Sequence, residues 1–103
     1  MAIQNTTLTA TVADLLPTTG TRAVTAVYFQ NNHSSAVTVD VYAVPNAGTA
    51  GATNRIYKEA SIAAGDTLIM GTSEKIILEN GDKLQSLASV DNVVHATCSH
   101  TTF

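Results

Sequence analysis

The chain has 103 residues, which is the length of one domain with one modest core. Charged residues make up 13% of it, where about 25% is usual. The net charge is −3, and the five basic residues form no run or stripe. Nucleic-acid binding is therefore disfavoured, since it needs a concentrated positive surface.

Two further classes of protein are disfavoured by the distribution of apolar residues. No apolar run approaches the length that spans a membrane. The N-terminal residues lack the basic and apolar regions of a secretion signal. We expect a single domain over residues 1–103, made in the cytoplasm and without a membrane partner, whose weakly charged surface suits contact with other subunits.

The N-terminal part predicts one strand followed by a bend. Residues 6–12 carry Leu8 among threonine and alanine, which favours a strand. In the bend at 14–20, Leu15 and Leu16 are expected to form one helical turn that closes an end of the core.

The next two segments predict an antiparallel hairpin. Residues 22–30 are small and β-branched, with Val27 and Phe29 assigned inward. Residues 31–35 are a polar cluster of turn formers, and residues 37–43 follow as a second strand.

Period-two alternation is clearest in residues 37–43. Asp40 identifies the solvent side, because an unpaired buried carboxylate is costly. The inward residues are then Val37, Val39, Val41 and Ala43, and the outward ones are Thr38, Asp40 and Tyr42.

The remaining chain alternates strands with turns. Residues 45–52 form a loop by composition. Strands are predicted at 55–62, 67–70, 75–78, 83–90 and 93–101. Two of the intervening turns share the pattern Gly-Asp-x-Leu, at Gly65-Asp66 and Gly81-Asp82, where glycine supplies a positive φ and the aspartate can accept backbone N–H bonds.

The predicted elements define the fold class. They amount to about eight strands at the spacing of a sandwich or barrel. No helical pattern persists beyond one turn, so the helical crossovers that a parallel sheet needs are missing. We predict an all-β, antiparallel β-sandwich, either jelly-roll or Ig-like.

The residues whose side chains could act in catalysis or bind a metal do not form a catalytic or metal-binding pattern. On a strand, Cys98 and His100 share one face while His95 lies on the other, which disfavours a three-ligand metal site. Cys98 is expected in the core, with both histidines near a surface or interface. The acidic turn residues Asp66, Asp82 and Asp91 lack the dense oxygen pattern of a calcium loop.

Catalysis and cofactor binding are not indicated either. No serine sits in a Gly-x-Ser-x-Gly elbow, and glycine-rich phosphate-binding motifs are absent from the sequence. We expect no cofactor and no enzymatic activity. The candidate interface residues are the tyrosines, which suit sheet faces or subunit contacts, and two polar loop residues: Tyr28, Tyr42, Tyr57, Asn46 and Thr49.

Several segments resemble a type of small virion protein of tailed bacteriophages. These are residues 31–42, which end in Ala-Val-Thr-Val-Asp-Val-Tyr, residues 56–68, residues 78–84, and the closing strand 93–99. The resemblance spans about residues 22–100 and lies in strand pattern and turn residues.

The resemblance implies a β-sandwich subunit present in many copies on a phage particle. It implies a capsid decoration, or cement, protein that binds where major capsid proteins meet, often as a trimer, and is therefore located in the virion. The alternatives are a head–tail connector, tail or baseplate subunit, and a carbohydrate-binding adsorption module that uses exposed tyrosines.

Overall fold

The computed structural model describes residues 2–70 and 76–102, and these residues form nine β-strands and no helix. The strands are β1 (Ala2–Thr7), β2 (Ala13–Asp14), β3 (Arg22–Asn31), β4 (Val37–Val44), β5 (Arg55–Ile62), β6 (Thr67–Met70), β7 (Ile76–Leu78), β8 (Lys83–Ala88) and β9 (Val94–Thr102). Within the predicted strand 75–78, Lys75 lies outside the described residues. The all-β prediction is confirmed.

The strands form two antiparallel sheets that pack face to face. One sheet has the order β1-β9-β3-β6, with β7 pairing the other half of the β3 edge, and the second has the order β2-β8-β4-β5. Counting β6 and β7 as one interrupted strand gives eight strands in the double Greek key order of a jelly roll. The β-sandwich prediction is confirmed, and its jelly-roll form is the one observed.

The predicted hairpin between β3 and β4 is wrong. β3 is flanked by β9 on one side and by β6 and β7 on the other, while β4 lies between β8 and β5 in the opposite sheet. Because both edges of β3 are occupied, β4 has no edge of β3 to pair with. The polar residues between them form a loop that crosses from one sheet to the other.

The prediction for the N-terminal strand is also shifted. β1 occupies Ala2–Thr7, so residues 8–12 lie outside the strand that the sequence predicts at 6–12. Leu8 is nonetheless fully buried. Leu15 and Leu16 are buried as expected, but they lie in a bend and not in a helical turn.

The core lies between the two sheets and follows the alternation of the long strands. Val27 and Phe29 of β3 face it, as predicted, and so do Val37, Val39 and Val41 of β4. At the end of β4 the outward-pointing residues are buried as well. Tyr42 and Val44 are buried outside the central core, and the loop after β4 packs against Val44 at Gly48.

Both ends of β3 carry a buried polar side chain. Arg22, the first residue of the strand, is 1% exposed and donates to the main-chain oxygens of Pro17, Gly20, Glu79 and Asp82. It therefore ties the segment before β3 to the turn between β7 and β8.

Asn31, the last residue of β3, has the same role at the other end. Its Nδ2 donates to the main-chain oxygens of Ser35, Ile62 and Ala63, at 3.0, 3.0 and 3.3 Å. Its Oδ1 accepts the N–H of His33 at 2.8 Å. The side chain thus joins the crossing loop after β3 to the turn after β5.

The Arg22 contacts predict a large loss of stability on truncation. In Arg22→Ala, four carbonyl groups lose a buried donor, and we expect the free energy of unfolding to fall by about 3 kcal/mol or more. The matched control is Arg55→Ala, because Arg55 is a partly exposed residue in a 3.6 Å ion pair with Asp40, and its removal should cost about 1 kcal/mol or less. Urea denaturation of both variants measures the difference, and equal losses would contradict a clamping role for Arg22.

The turn at Gly81 gives a second stability prediction. Gly81 has φ +91°, and a Cβ there would overlap the side-chain amide of Asn46. We expect Gly81→Val to lower the free energy of unfolding by about 2 kcal/mol, since a β-branched residue is strained at positive φ. Gly51→Val is the control, because its Cβ would meet nothing closer than 3.9 Å. A thermal melt of Gly81→Val that matches the control would refute the prediction.

Candidate interaction surface

The β1-β9-β3-β6 sheet, with β7 beside it, is the larger of the two sheets in the described chain, and its outer side is a regular surface. The strand register determines which side chains share it, because directly paired residues point to the same side of a sheet. They are Ile3, Asn5, Thr7, Ala23, Ala26, Tyr28, Gln30, Thr67, Ile69, Ile77, His95, Thr97, Ser99 and Thr101. We call this set the outer face.

The outer face carries no Asp, Glu, Lys or Arg among the described residues. It does carry four of the six large apolar side chains that are exposed in the described chain. These are Ile3, Tyr28, Ile69 and Ile77, at 69%, 40%, 51% and 57% exposure. Tyr28 lies directly opposite Ile69 in the register of β3 and β6, so these two form a continuous apolar patch.

The polar side chains of the outer face bond to one another. Thr97 Oγ1 donates to Asn5 Oδ1 at 2.9 Å, and Thr7 Oγ1 lies 3.1 Å from His95 Nδ1. Such cross-strand pairs hold short side chains in place and satisfy part of their hydrogen-bonding capacity within the sheet. The surface is therefore ordered before any partner binds, which lowers the entropy cost of binding.

The outer side of the opposite sheet has different chemistry. Arg55 pairs with Asp40 there at 3.6 Å, and Gln85 donates to Asp14 at 2.8 Å. Asp40 also accepts the main-chain N–H of Glu59 at 2.9 Å. Apart from the buried Arg22 of β3, the charged side chains of the described residues belong to this sheet and to the loops, and the two broad faces of the sandwich are chemically distinct.

The five residues that the sequence nominates for an interface do not come together. Tyr28 lies on the outer face and is exposed. Tyr42 and Tyr57 belong to the opposite sheet, in β4 and β5, while Asn46 and Thr49 lie in the loop between those strands. Of the five, Tyr28 alone belongs to the uncharged surface.

Two of the tyrosines are less accessible than the sequence suggests. Tyr42 points outward, as the alternation predicts, but it is 7% exposed, and its hydroxyl lies 3.4 Å from Asp40 Oδ2. Tyr57 is partly buried against the core. The expectation that these rings are available for contact is therefore wrong for Tyr42. For Tyr57 it stays a prediction.

The loop after β4 is exposed, as predicted, and its backbone is bonded at several points. Asn46 N donates to Asp82 Oδ1 at 2.8 Å. Asn54 closes the loop on itself by accepting Gly51 N at 3.0 Å and donating to the Thr49 carbonyl at 2.9 Å. Asn46 and Thr49 therefore help to shape the loop that covers the end of β4.

The closing strand separates its histidines as the alternation predicts. Cys98 is buried in the core, and His95 is exposed on the outer face. His100 is 4% exposed, so it does not lie at the surface of the chain, and its expected alternative position at an interface stays a prediction. No group of three or more potential metal ligands occurs in residues 2–70 and 76–102.

The acidic turn residues bond to the backbone. Asp82 accepts Asn46 N through Oδ1 and Glu79 N through Oδ2, at 2.8 and 3.0 Å. Asp91 Oδ1 accepts Ala10 N at 2.7 Å. Gly65 and Gly81 both have positive φ, which confirms the role that the Gly-Asp pattern gives to glycine. These contacts explain Asp82 and Asp91 as structural residues.

Burial also sets the chemistry of the cysteine. It raises the pKa of the Cys98 thiol from 9.0 to about 11. The folded chain therefore holds this proton to higher pH than the unfolded chain, and the associated stability is lost as the pH rises from 9 to 11.

The thiol of the native protein should react slowly. At pH 8 the raised pKa lowers the thiolate fraction of Cys98 about a hundredfold, and burial blocks access as well. We expect an aromatic disulfide reagent to modify native Cys98 at least about a hundred times more slowly than the urea-unfolded chain. Rapid modification of the folded protein would show that Cys98 lies outside the packed core.

Comparisons with family models, curated proteins and solved structures found no match to this chain. Within the part of the chain that the structure describes, no helix is both long and apolar enough to cross a membrane. The functional argument therefore rests on the outer face and on the resemblance carried by the sequence.

Proposed function

We propose that this protein is a non-enzymatic structural subunit that binds other protein subunits through the outer face of its β1-β9-β3-β6 sheet. The observation that carries the proposal is the absence of Asp, Glu, Lys and Arg from that face in the described chain, together with its exposed isoleucines and tyrosine. Exposed apolar patches that polar residues surround are typical of protein interaction sites.

The composition of the outer face suits contact with protein. Burying a charged group requires an ionic partner in a well-defined position, whereas hydroxyl and aliphatic groups lose less solvation energy. Depletion of charge with retention of tyrosine is the pattern of interface centres. Tyr28 and Ile69, which adjoin near the middle of the face, are the expected anchors.

The location that we propose is the virion of a tailed bacteriophage, with the major capsid protein as the partner. This step rests on the resemblance of residues 31–42, 56–68, 78–84 and 93–99 to phage virion proteins. The jelly-roll order of the strands is compatible with it, since viral capsid proteins use that fold, but lectins and cupins use it as well. Each decoration protein that binds a lattice site lowers the free energy of the particle. Modest contacts repeated over a shell therefore have a large stabilising effect.

A neck, tail or baseplate position is the alternative within the structural class. Quantitative mass spectrometry of purified particles distinguishes the two by copy number. Hundreds of copies indicate decoration, and six or twelve indicate a neck or tail position. A carbohydrate-binding role is less favoured, because the buried Tyr42 cannot stack on a sugar ring and Tyr57 is partly covered.

A substitution pair tests the outer face directly. The protein is sedimented with expanded capsids of the tailed phage whose genome carries the sequence, and Ile69→Lys is compared with Ile56→Lys. The two isoleucines have similar exposure, 51% and 45%, but Ile56 belongs to the opposite sheet. We expect Ile69→Lys to weaken binding at least about tenfold, since burying an unpaired charge costs more than about 1.4 kcal/mol.

The control variant should bind as the wild type does. Failure of the wild-type protein to sediment with capsids at high concentration would contradict the decoration role. Equal binding by both variants would contradict the assignment of the outer face as the contact surface. Circular dichroism of both variants checks that each remains folded.

A further inference from the structure

The edges of the two sheets differ in how well they are protected against pairing. An edge strand exposes unpaired N–H and C=O groups, and proteins commonly block it with a very short strand, charged side chains or bulges. In the described chain, one sheet is bounded by β1 on one side and by β6 and β7 on the other, and the second sheet is bounded by β2 and β5.

Three of these four edges carry such a device. β2 has two residues, and on the edge formed by β6 and β7 the register with β3 changes between the Val27–Met70 pair and the Val24–Ile76 pair. β5 is long, but it carries Arg55, Lys58 and Glu59 and has irregular register with β4. Glu59 adds a positive φ of 50°, which bends the backbone locally.

β1 carries none of these devices. Its six residues, Ala-Ile-Gln-Asn-Thr-Thr, include no charge and no proline, and their register with β9 is unbroken from Ala2 to Thr7. Ile3, on its exposed side, is 69% accessible. β1 is therefore a straight, uncharged edge of the kind that pairs with another strand.

The hydrogen bonds at the end of β1 show which residues face the open edge. Leu8 N donates to Val94 O at 2.9 Å, so the N–H of Leu8 points toward the β9 side. Successive N–H groups of a strand point to opposite sides. The main-chain groups of Ile3, Asn5 and Thr7 therefore point away from β9, and these three residues also place their side chains on the outer face.

We propose that β1 pairs antiparallel with β1 of a second copy of this chain, across a two-fold axis at Asn5. In this register Asn5 lies opposite Asn5, and Ile3 lies opposite Thr7 of the other copy. All three edge-facing residues of each strand are then paired, and the three pairs form about six main-chain hydrogen bonds. A register shifted by two residues leaves one edge-facing residue of each strand without a partner in the other strand.

The side chains of β1 suit an identical partner. Asn5 Oδ1 accepts from Thr97 within its own chain, while its Nδ2 donates to no group in the described residues. Across the axis, each Asn5 amide can donate to the other. No like charges meet between two uncharged strands, and the outer faces of the two copies become one continuous surface.

The pairing has a definite symmetry. Contact of one edge with the same edge of another copy is isologous and closes as a two-fold pair. A trimer, which the resemblance to decoration proteins implies, needs two different contacting edges. The pairing rests on the strand edges alone and not on the proposed virion role, so purified protein tests it without any capsid.

Disulfide cross-linking tests both the pairing and its register. In a hydrogen-bonded antiparallel pair the two Asn5 Cα atoms lie about 5.5 Å apart, which a disulfide can span. The two Ile3 Cα atoms lie on the order of 14 Å apart in the same register, which it cannot span. Under mild oxidation we expect Asn5→Cys to give a covalent dimer, and Ile3→Cys to give at least about tenfold less.

The native Cys98 is buried, so it contributes little background. Equal cross-linking of the two variants would overturn the register, and no cross-linking of Asn5→Cys would overturn the pairing.

Sedimentation equilibrium of the wild-type chain gives an independent measurement. We expect a reversible monomer–dimer equilibrium, which Asn5→Lys shifts at least about tenfold toward monomer by placing like charges opposite each other. Ile56→Lys, on the opposite sheet, should leave the equilibrium unchanged. A chain that stays monomeric at millimolar concentration, or one that forms trimers, would overturn the proposal.

Discussion

The architecture depends on β3, whose two terminal side chains bind the loops at both ends of the sandwich. Arg22 and Asn31 are buried polar residues that donate to main-chain oxygens of segments distant in sequence. Loops at the end of a sandwich bring carbonyl groups into places that water does not reach, and these groups must be paired. Because both clamps belong to one central strand, the positions of the loops follow from the position of β3.

This arrangement leaves the outer face free of charged side chains with a structural role. The clamps act through neutral carbonyl groups, so neither end requires a cluster of carboxylates. Apart from the buried Arg22, the described charged residues lie in the opposite sheet, where Arg55 and Asp40 pair, or in turns, where Asp82 and Asp91 accept backbone N–H groups. The outer face is left with hydroxyl, amide and aliphatic groups, which lose little on desolvation. The fold therefore does not require charged residues on the outer face.

Local pattern predicts the strands well and their partners poorly. The strands at 55–62 and 67–70 are found at the predicted residues, and Val27 and Phe29 face the core, because alternation reports which side of a strand is buried. Alternation does not report which sheet a strand joins, so the β3–β4 hairpin prediction is wrong. Two of the four carbonyl groups that Arg22 binds, those of Glu79 and Asp82, lie 57 and 60 residues away, so this part of its clamping role has no local signal. Alternation assigns Tyr42 to the outer side but does not report that this side is covered there.

The outer face and the open edge of β1 meet at the same residues, since Ile3, Asn5 and Thr7 contribute side chains to one and main-chain groups to the other. For a chain that stays alone, an uncharged face and an unprotected edge are both liabilities for aggregation. Pairing two β1 strands provides hydrogen-bond partners for the main-chain groups of the open edge, and it also doubles the uncharged surface. If the proposed partner is a lattice, two linked faces bind it with a higher effective concentration than two separate chains do. On this reasoning, the two features that are hazardous in a monomer become useful together in an assembly.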